Sequence, residues 1–349
     1  MKGIGLPVLA LSSTVVAFSG ALAAAPSPEK SGSDAIPIEV IESPKITRFP
    51  TGNLYPRKDI VDGREGWVVM TIMVDSNARP IDAMINDSSG NPAFEKAALG
   101  AIDKMTFEPA RRNGMPVDGT IQFKLKFSID NLAKGARQSF AASYRRFLKA
   151  IEAQDKAGAD EQLERLKPMN LYEDSLANFA KYYYHVAWGT REQQREDLAA
   201  AIACERQPIY LPRDDFVTAL YMQFKLDIES SDYGLALDTW EVLEPLVDAD
   251  LRIKLQKVVD QIHAIQAGNQ PVRISAVMRD SGRWSTALLR KRFHVVVKDG
   301  TIRDVQLKCA RKVVSFAFDP DLEYTIPADK ERCQATLRGQ PGTSFEFNQ

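Results

Sequence analysis

Hydrophobic periodicity changes twice along this 349-residue chain, and each change sets a different kind of core. From Gly66 the apolar residues follow a strand pattern. From about Arg137 to Gln266 they recur at helical spacing, and beyond Gly268 the period returns to two. A chain of this length holds two or three units of ordinary domain size. The pattern therefore predicts a multi-domain α+β protein: a mixed unit over 48–131, an all-α region over 137–266 and a small all-β sandwich over 271–349.

Within the mixed unit, Trp67 to Val74 form a nearly continuous apolar run, the mark of a strand covered on both faces. A turn at Asp75 to Pro80 leads to a second strand, Ile81 to Ile85. Asn91 then caps a helix with Pro92 at its first position, and Phe94, Ala97, Ala98, Ala101, Ile102 and Met105 recur along one face. The helix is expected to end before Phe107-Glu108-Pro109. After the Asn113-Gly114 turn, Ile121, Phe123, Leu125, Phe127 and Ile129 alternate with polar residues, the cleanest strand signal in the chain.

The all-α region reads as helix pairs: Tyr144 to Leu166, Leu176 to Ile202 and Phe216 to Leu246. Their starts recur every ~35 to 40 residues, near the tetratricopeptide period, though no copy carries the full motif. The last unit reads as eight short strands, with Asp299-Gly300 as a two-residue hairpin turn and Gly339 to Ser344 as a second hairpin loop.

Ahead of these units, residues 1–23 read as a secretory signal peptide. Lys2 supplies a basic start, Ile4 to Phe18 is apolar, and Ala21-Leu22-Ala23 offers small residues for cleavage. The alternative is an uncleaved inner-membrane anchor, because Gly3 to Ala25 is uncharged and about 20 residues cross a bilayer. Residues 24–47 read as a linker, with six prolines between Pro26 and Pro56. In an exported chain, Cys309 and Cys333 are the natural disulfide pair and Cys204 the remaining thiol, although three pairings are possible.

The signals for chemistry are weak. His185, His263 and His294 stand in different segments without partners at metal spacing, so no metal, cofactor or enzyme activity is expected. The formal charge of -1 gives no field for nucleic acid. From Pro271 onward 14 Lys and Arg oppose 9 Asp and Glu; Arg290-Lys291-Arg292 reads as a solvated strand edge, the alternative being a face for an anionic envelope polymer or lipid headgroup. Tyr182, Tyr183, Tyr184 and Trp188 read as helical core, the alternative being the lining of a peptide groove.

One resemblance is specific. Tyr55-Pro56, Gly66-Trp67-Val68 running to Val74-Asp75, Ser88-Ser89-Gly90, Ala97-Ala98-Leu99, Phe107-Glu108-Pro109-Ala110 and Asn113-Gly114-Met115-Pro116-Val117 resemble, in order, the C-terminal domain of TonB-type energy transducers. The resemblance covers under a quarter of the chain. It implies a periplasmic domain that binds an outer-membrane receptor by taking up a receptor segment as an added strand. The partner-binding residues it implies are Tyr55 and Pro56 with Thr120, Ile121, Gln122, Phe123, Lys124, Leu125, Lys126 and Phe127. Lys124 and Lys126 on that strand would either protect a bare edge or tolerate a partner because their side chains point away from the ladder. Ala78 stands where most members have Gly, so Asn77 is expected to take up the positive φ of that turn. The N-terminal segment has no His and no long Pro-rich spacer follows it, so the expectation is receptor binding without proton coupling. The alternative is a structural envelope protein that forms a homodimer or larger oligomer by strand exchange and binds partners through its helices.

Overall fold

In the computed structural model, residues 42–50, 54–129, 135–203, 210–279, 282–309, 312–326 and 333–349 are described. The segment read as a signal peptide, most of the linker and Cys204 lie outside these residues.

The first unit runs β1 (Lys45–Arg48), α1 (Arg57–Val61), β2 (Gly66–Val74), β3 (Pro80–Ser88), α2 (Pro92–Ile102), β4 (Thr106–Glu108), β5 (Ala110–Arg112), β6 (Met115–Val117) and β7 (Gly119–Phe127). Its sheet has the order β3-β2-β7, which puts the most apolar strand in the centre. Val68, Met70, Ile72 and Val74 on one face of β2 are fully buried against Phe94, Ala98 and Ala101 of α2. Each large side chain buried in this way contributes about 1.5–3 kcal/mol. Helix α2 begins where expected, with the Asn91 side chain accepting from Ala93 N at 3.0 Å.

Two local expectations are corrected here. The segment read as linker up to residue 47 ends in β1, which pairs antiparallel with β4, so the chain after α2 is also strand. Ile46 and Phe107 stand opposite each other in that pair and reach the domain core, burial that the proline-rich composition had masked. In the turn after β2, Ala78 itself adopts φ 66°, not Asn77. Asp75 fixes this: its Oδ1 accepts from Asn77 N and Arg79 N, and its carbonyl accepts from Ala78 N, so the left-handed position falls on residue 78. The Asn113-Gly114 turn behaves as read, with both residues at positive φ between β5 and β6.

The all-α region contains α3 (Gln138–Glu152), α4 (Lys156–Arg165), α5 (Leu171–Trp188), α6 (Arg191–Ala201), α7 (Arg213–Glu229), α8 (Tyr233–Leu243) and α9 (Ala249–Ala267). The first six pair as three antiparallel hairpins at the expected places, and α9 closes the stack by burying Leu255, Val259 and Ile262. Tyr182 is core, with Tyr183, Tyr184 and Trp188 packed against it. A buried ionic cluster joins the hairpins to the next unit. Arg195 of α6 donates to Asp227 of α7 and to Asp232, and Asp232 accepts from Thr286 Oγ1 at 2.6 Å.

The last unit contains β8 (Arg273–Val277), β9 (Arg283–Ala287), β10 (Arg292–Asp299), β11 (Ile302–Cys309), β12 (Lys312–Ala317), β13 (Tyr324–Thr325), β14 (Cys333–Gly339) and β15 (Ser344–Asn348). These form two four-stranded sheets, β13-β10-β15-β8 and β12-β11-β14-β9, closed over Phe293, Val295, Val305, Leu337, Phe345 and Phe347. Cys309 and Cys333 face each other in the β11–β14 register and are joined as a disulfide.

Neither expected hairpin turn in this unit is one. Asp299-Gly300 carries the chain from β10 in one sheet to β11 in the other, and Gly339 to Ser344 does the same from β14 to β15. The two corners interlock through Thr343, whose Oγ1 accepts from Thr301 N at 3.0 Å. A Cβ on Gly300 would lie 2.4 Å from that oxygen, which is why glycine stands there at φ 87°. Arg290 is also not a solvated edge residue. It is half-buried, and its guanidinium donates to the carbonyls of Ile265, Gln270 and Gln349, tying the end of α9 to the last residue.

Candidate functional site

Strand β7 is held by β2 over nine residues in unbroken register, from Gly66 opposite Phe127 to Val74 opposite Gly119. It stands last in the sheet order, so β2 is its only ladder neighbour among the described residues. Alternation then splits its side chains. Ile121, Phe123, Leu125 and Phe127 face α2, and Phe127 stacks on Phe94 with ring centroids 4.4 Å apart. Thr120, Gln122, Lys124 and Lys126 lie on the opposite face.

The other residues expected to bind a partner serve the domain's own structure. The Tyr55 ring meets Phe94 and Phe127 edge-on at 5.5 Å, and its hydroxyl donates to the carbonyl of Arg64. Burial pushes that hydroxyl's pKa up, with the charges of Glu65 and Asp59 adding to the effect. Pro56 starts α1, its carbonyl accepting from Ile60 N.

Both lysines point away from the ladder, on the face turned to the helical region. Lys124 Nζ donates to the Ala203 carbonyl at 2.8 Å and lies 4.4 Å over the Trp67 ring. Lys126 Nζ donates to the Tyr210 hydroxyl at 3.1 Å. Both long side chains cover apolar surface while their charged ends reach the helical region.

The second face of the sheet is therefore an interface within the chain. Trp67 packs with Leu171 and Tyr210, and its indole N–H donates to Asp174 Oδ2 at 3.0 Å. Burial pushes the Asp174 carboxyl up, and the indole hydrogen bond opposes the shift. Glu65 adds a clamp: Oε1 accepts from Ile129 N at 2.8 Å, Oε2 accepts from Leu171 N at 3.3 Å, and its own N–H donates to the Met169 carbonyl at 2.6 Å. On the C-terminal side, Gln306 donates to Thr120 Oγ1 at 2.8 Å, and β12 runs close beside β7. Asn86 of β3 accepts from Arg283.

No motif marks these contacts, which join residues as far apart in sequence as Asn86 and Arg283. One signal was legible: the apolar run through β2 continues on both faces, so something had to cover the second. Among the described residues, no three His, Cys, Asp or Glu side chains are grouped to hold a metal ion.

Residues 51–129 match the family model described as Gram-negative bacterial TonB protein C-terminal. Protein TonB of Vibrio cholerae serotype O1 is 29% identical over 91 residues, covering 26% of this chain and 37% of the relative. Protein tonB2 of Pseudomonas aeruginosa is 29% identical over 76 residues, covering 22% of this chain and 28% of the relative. The solution NMR structure of the Pseudomonas aeruginosa TonB CTD aligns at 24% identity, with 29% of this chain and 100% of that one covered and a TM-score of 0.23. The match thus spans about a third of the length of the two TonB proteins of Vibrio cholerae and Pseudomonas aeruginosa. Residues 51–129 of this chain are a TonB C-terminal domain.

Proposed function

We propose that this protein is a periplasmic adaptor of the TonB type, which takes up an extended segment of an outer-membrane receptor along β7 in association with transport across the outer membrane. The supporting observation is the position of β7. It is a nine-residue terminal strand, anchored by one face to α2 and by its lysines to the helical region, so its backbone is fixed before any partner arrives. A terminal strand is a template on which main-chain hydrogen bonds supply affinity. The approach of β12 and the Gln306–Thr120 bond narrow access, and an added strand has to displace them.

No described helix is long and apolar enough to cross a membrane. In this reading the chain is not an enzyme, and contact with the inner membrane depends on whether the N-terminal segment is retained.

A second reading has its own observation. The Trp67–Asp174 bond and the Glu65 clamp fix the TonB C-terminal domain to α5, as suits a structural envelope protein that oligomerises by strand exchange and binds partners through its helices. Leu125→Pro removes a ladder donor in the middle of β7 and separates the two readings. Under the first, the variant fails to retain a purified TonB-dependent receptor on an affinity column while its size in solution is unchanged. If receptor capture persists and an oligomer dissolves, the second reading replaces the first.

A further inference from the structure

The three units enclose a cleft of about 600 Å³ that belongs neither to the β7 edge nor to any core. One wall is the face of the TonB C-terminal sheet turned away from α2, a second is the α5–α6 hairpin, and the third is the outer face of β9, β14 and β11. Its volume lies within the range of small-ligand sites, but its lining does not resemble the usual apolar pocket. Side-chain amides and hydroxyls predominate, and those of Gln122 and Gln334 make no hydrogen bond among the described residues.

The charges in the cleft are unbalanced. Four cations, Lys181, Arg279, Arg283 and Lys308, line it against three carboxylates, Asp87, Glu196 and Asp197. Glu196 is paired with Arg279 and Asp197 is hydrogen-bonded to His185 at 2.5 Å, while Lys181, Arg283 and Lys308 have no ion pair among the described residues. Arg283 is the most telling of these. It is half-buried, its described side-chain partner is the neutral Asn86 amide, and burial and the charge of Arg338 disfavour its cation, with only the charge of Asp304 opposing them. A guanidinium held in this way is set for a carboxylate, which it binds with two parallel hydrogen bonds.

Ring stacking has no place in the cleft. The Trp284 ring is turned into the sandwich, edge-on to Phe345 at 5.2 Å, and the Trp67 face is covered by Lys124. This disfavours planar ligands, which bind through aromatic faces. From the surplus of cations, the amides that both donate and accept, and the volume, we infer that the cleft binds a short acidic peptide. Its carboxylates meet Arg283, Lys308 and Lys181, and its amides meet Gln122 and Gln334. The inference does not rest on strand addition along β7, because it uses side chains on a sheet face and not the strand edge.

The test is a titration of the full chain with the blocked pentapeptide acetyl-Gly-Glu-Ser-Glu-Gly-amide, followed by tryptophan fluorescence. The glutamine counterpart and inorganic phosphate serve as the other probes. Saturable binding is expected for the glutamate peptide, weakened about tenfold by Arg283→Gln and several-fold by Lys308→Gln. The glutamine peptide should bind about tenfold more weakly or not at all, and raising salt should loosen the complex. Because Arg283 also holds Asn86, the exposed Lys308→Gln variant decides the outcome if Arg283→Gln lowers the melting temperature. Three results would overturn the inference: no saturable binding, equal affinity for both peptides, or displacement by phosphate at concentrations equal to those of the peptide.

Discussion

At the scale of single residues, Trp67 does the most to distinguish this TonB C-terminal domain from an independently moving module. Its ring fills the contact between sheet and helices, and its N–H is the described side-chain donor to Asp174, a carboxylate that burial pushes towards its protonated form. Trp67→Phe keeps most of the apolar surface and removes that donor. A buried acceptor left without its partner costs about 1–3 kcal/mol. The expected outcome is a loss of that size in urea unfolding, reduced when Asp174→Asn is combined with it in a double-mutant cycle. Additive losses would show that the two side chains do not act together.

The secondary-structure elements differ in how far the sequence revealed them. The helix pairs were legible because helical spacing is local, and α2 because Asn91 and Pro92 mark its start. All eight strands of the sandwich were legible, but their pairing was not. A two-residue Asp-Gly turn looks the same whether the next strand joins the same sheet or crosses to the facing one, and the difference at Gly300 lies in its long-range contact with Thr343. Strand β1 was missed because four residues among prolines carry almost no period, and its partner β4 lies some 60 residues away.

Two predictions belong to the elements. In the helical stack, burial raises the Asp215 pKa to about 6, with Asp214 adding to it, and also raises those of Asp227 and Asp232 against the opposing pull of Arg195. Carboxylates raised in the folded state bind more protons folded than unfolded. Their stabilising contribution is complete below the unfolded value near 4 and is lost as pH rises through the folded value. The thermal midpoint of the helical signal should therefore fall between pH 5 and pH 7, by an amount equivalent to about 1 kcal/mol once screening is allowed for. Asp215→Asn should flatten part of that fall, and a midpoint that rises over this interval would contradict the assignment. In the sandwich, the disulfide closes a loop with a sequence separation of 24, worth about 3 kcal/mol in the chain-entropy model. On reduction, hydrogen exchange should quicken first in β11 and β14 and leave β2 and β7 unchanged. Uniform loosening of the whole chain would contradict this.

For the molecule as a whole, three cores meet through specific polar contacts. Asp232 bonds Thr286 between stack and sandwich, Asp174 and Glu65 join the TonB C-terminal domain to the stack, and Gln306 reaches Thr120 from the sandwich. The sequence announced three units and the identity of the first, but not that β7 would lie beside β12. That proximity arises only when residues near 120 and near 310 come together, and no local pattern records it. In the function proposed above, β7 is nevertheless the strand that receives a receptor segment. Hydrogen–deuterium exchange on the full chain, with and without a purified TonB-dependent receptor, tests this most directly. Added protection is expected at alternate amides of β7, as one new ladder requires. Receptor binding that protects other surfaces while leaving the β7 amides unchanged would contradict it.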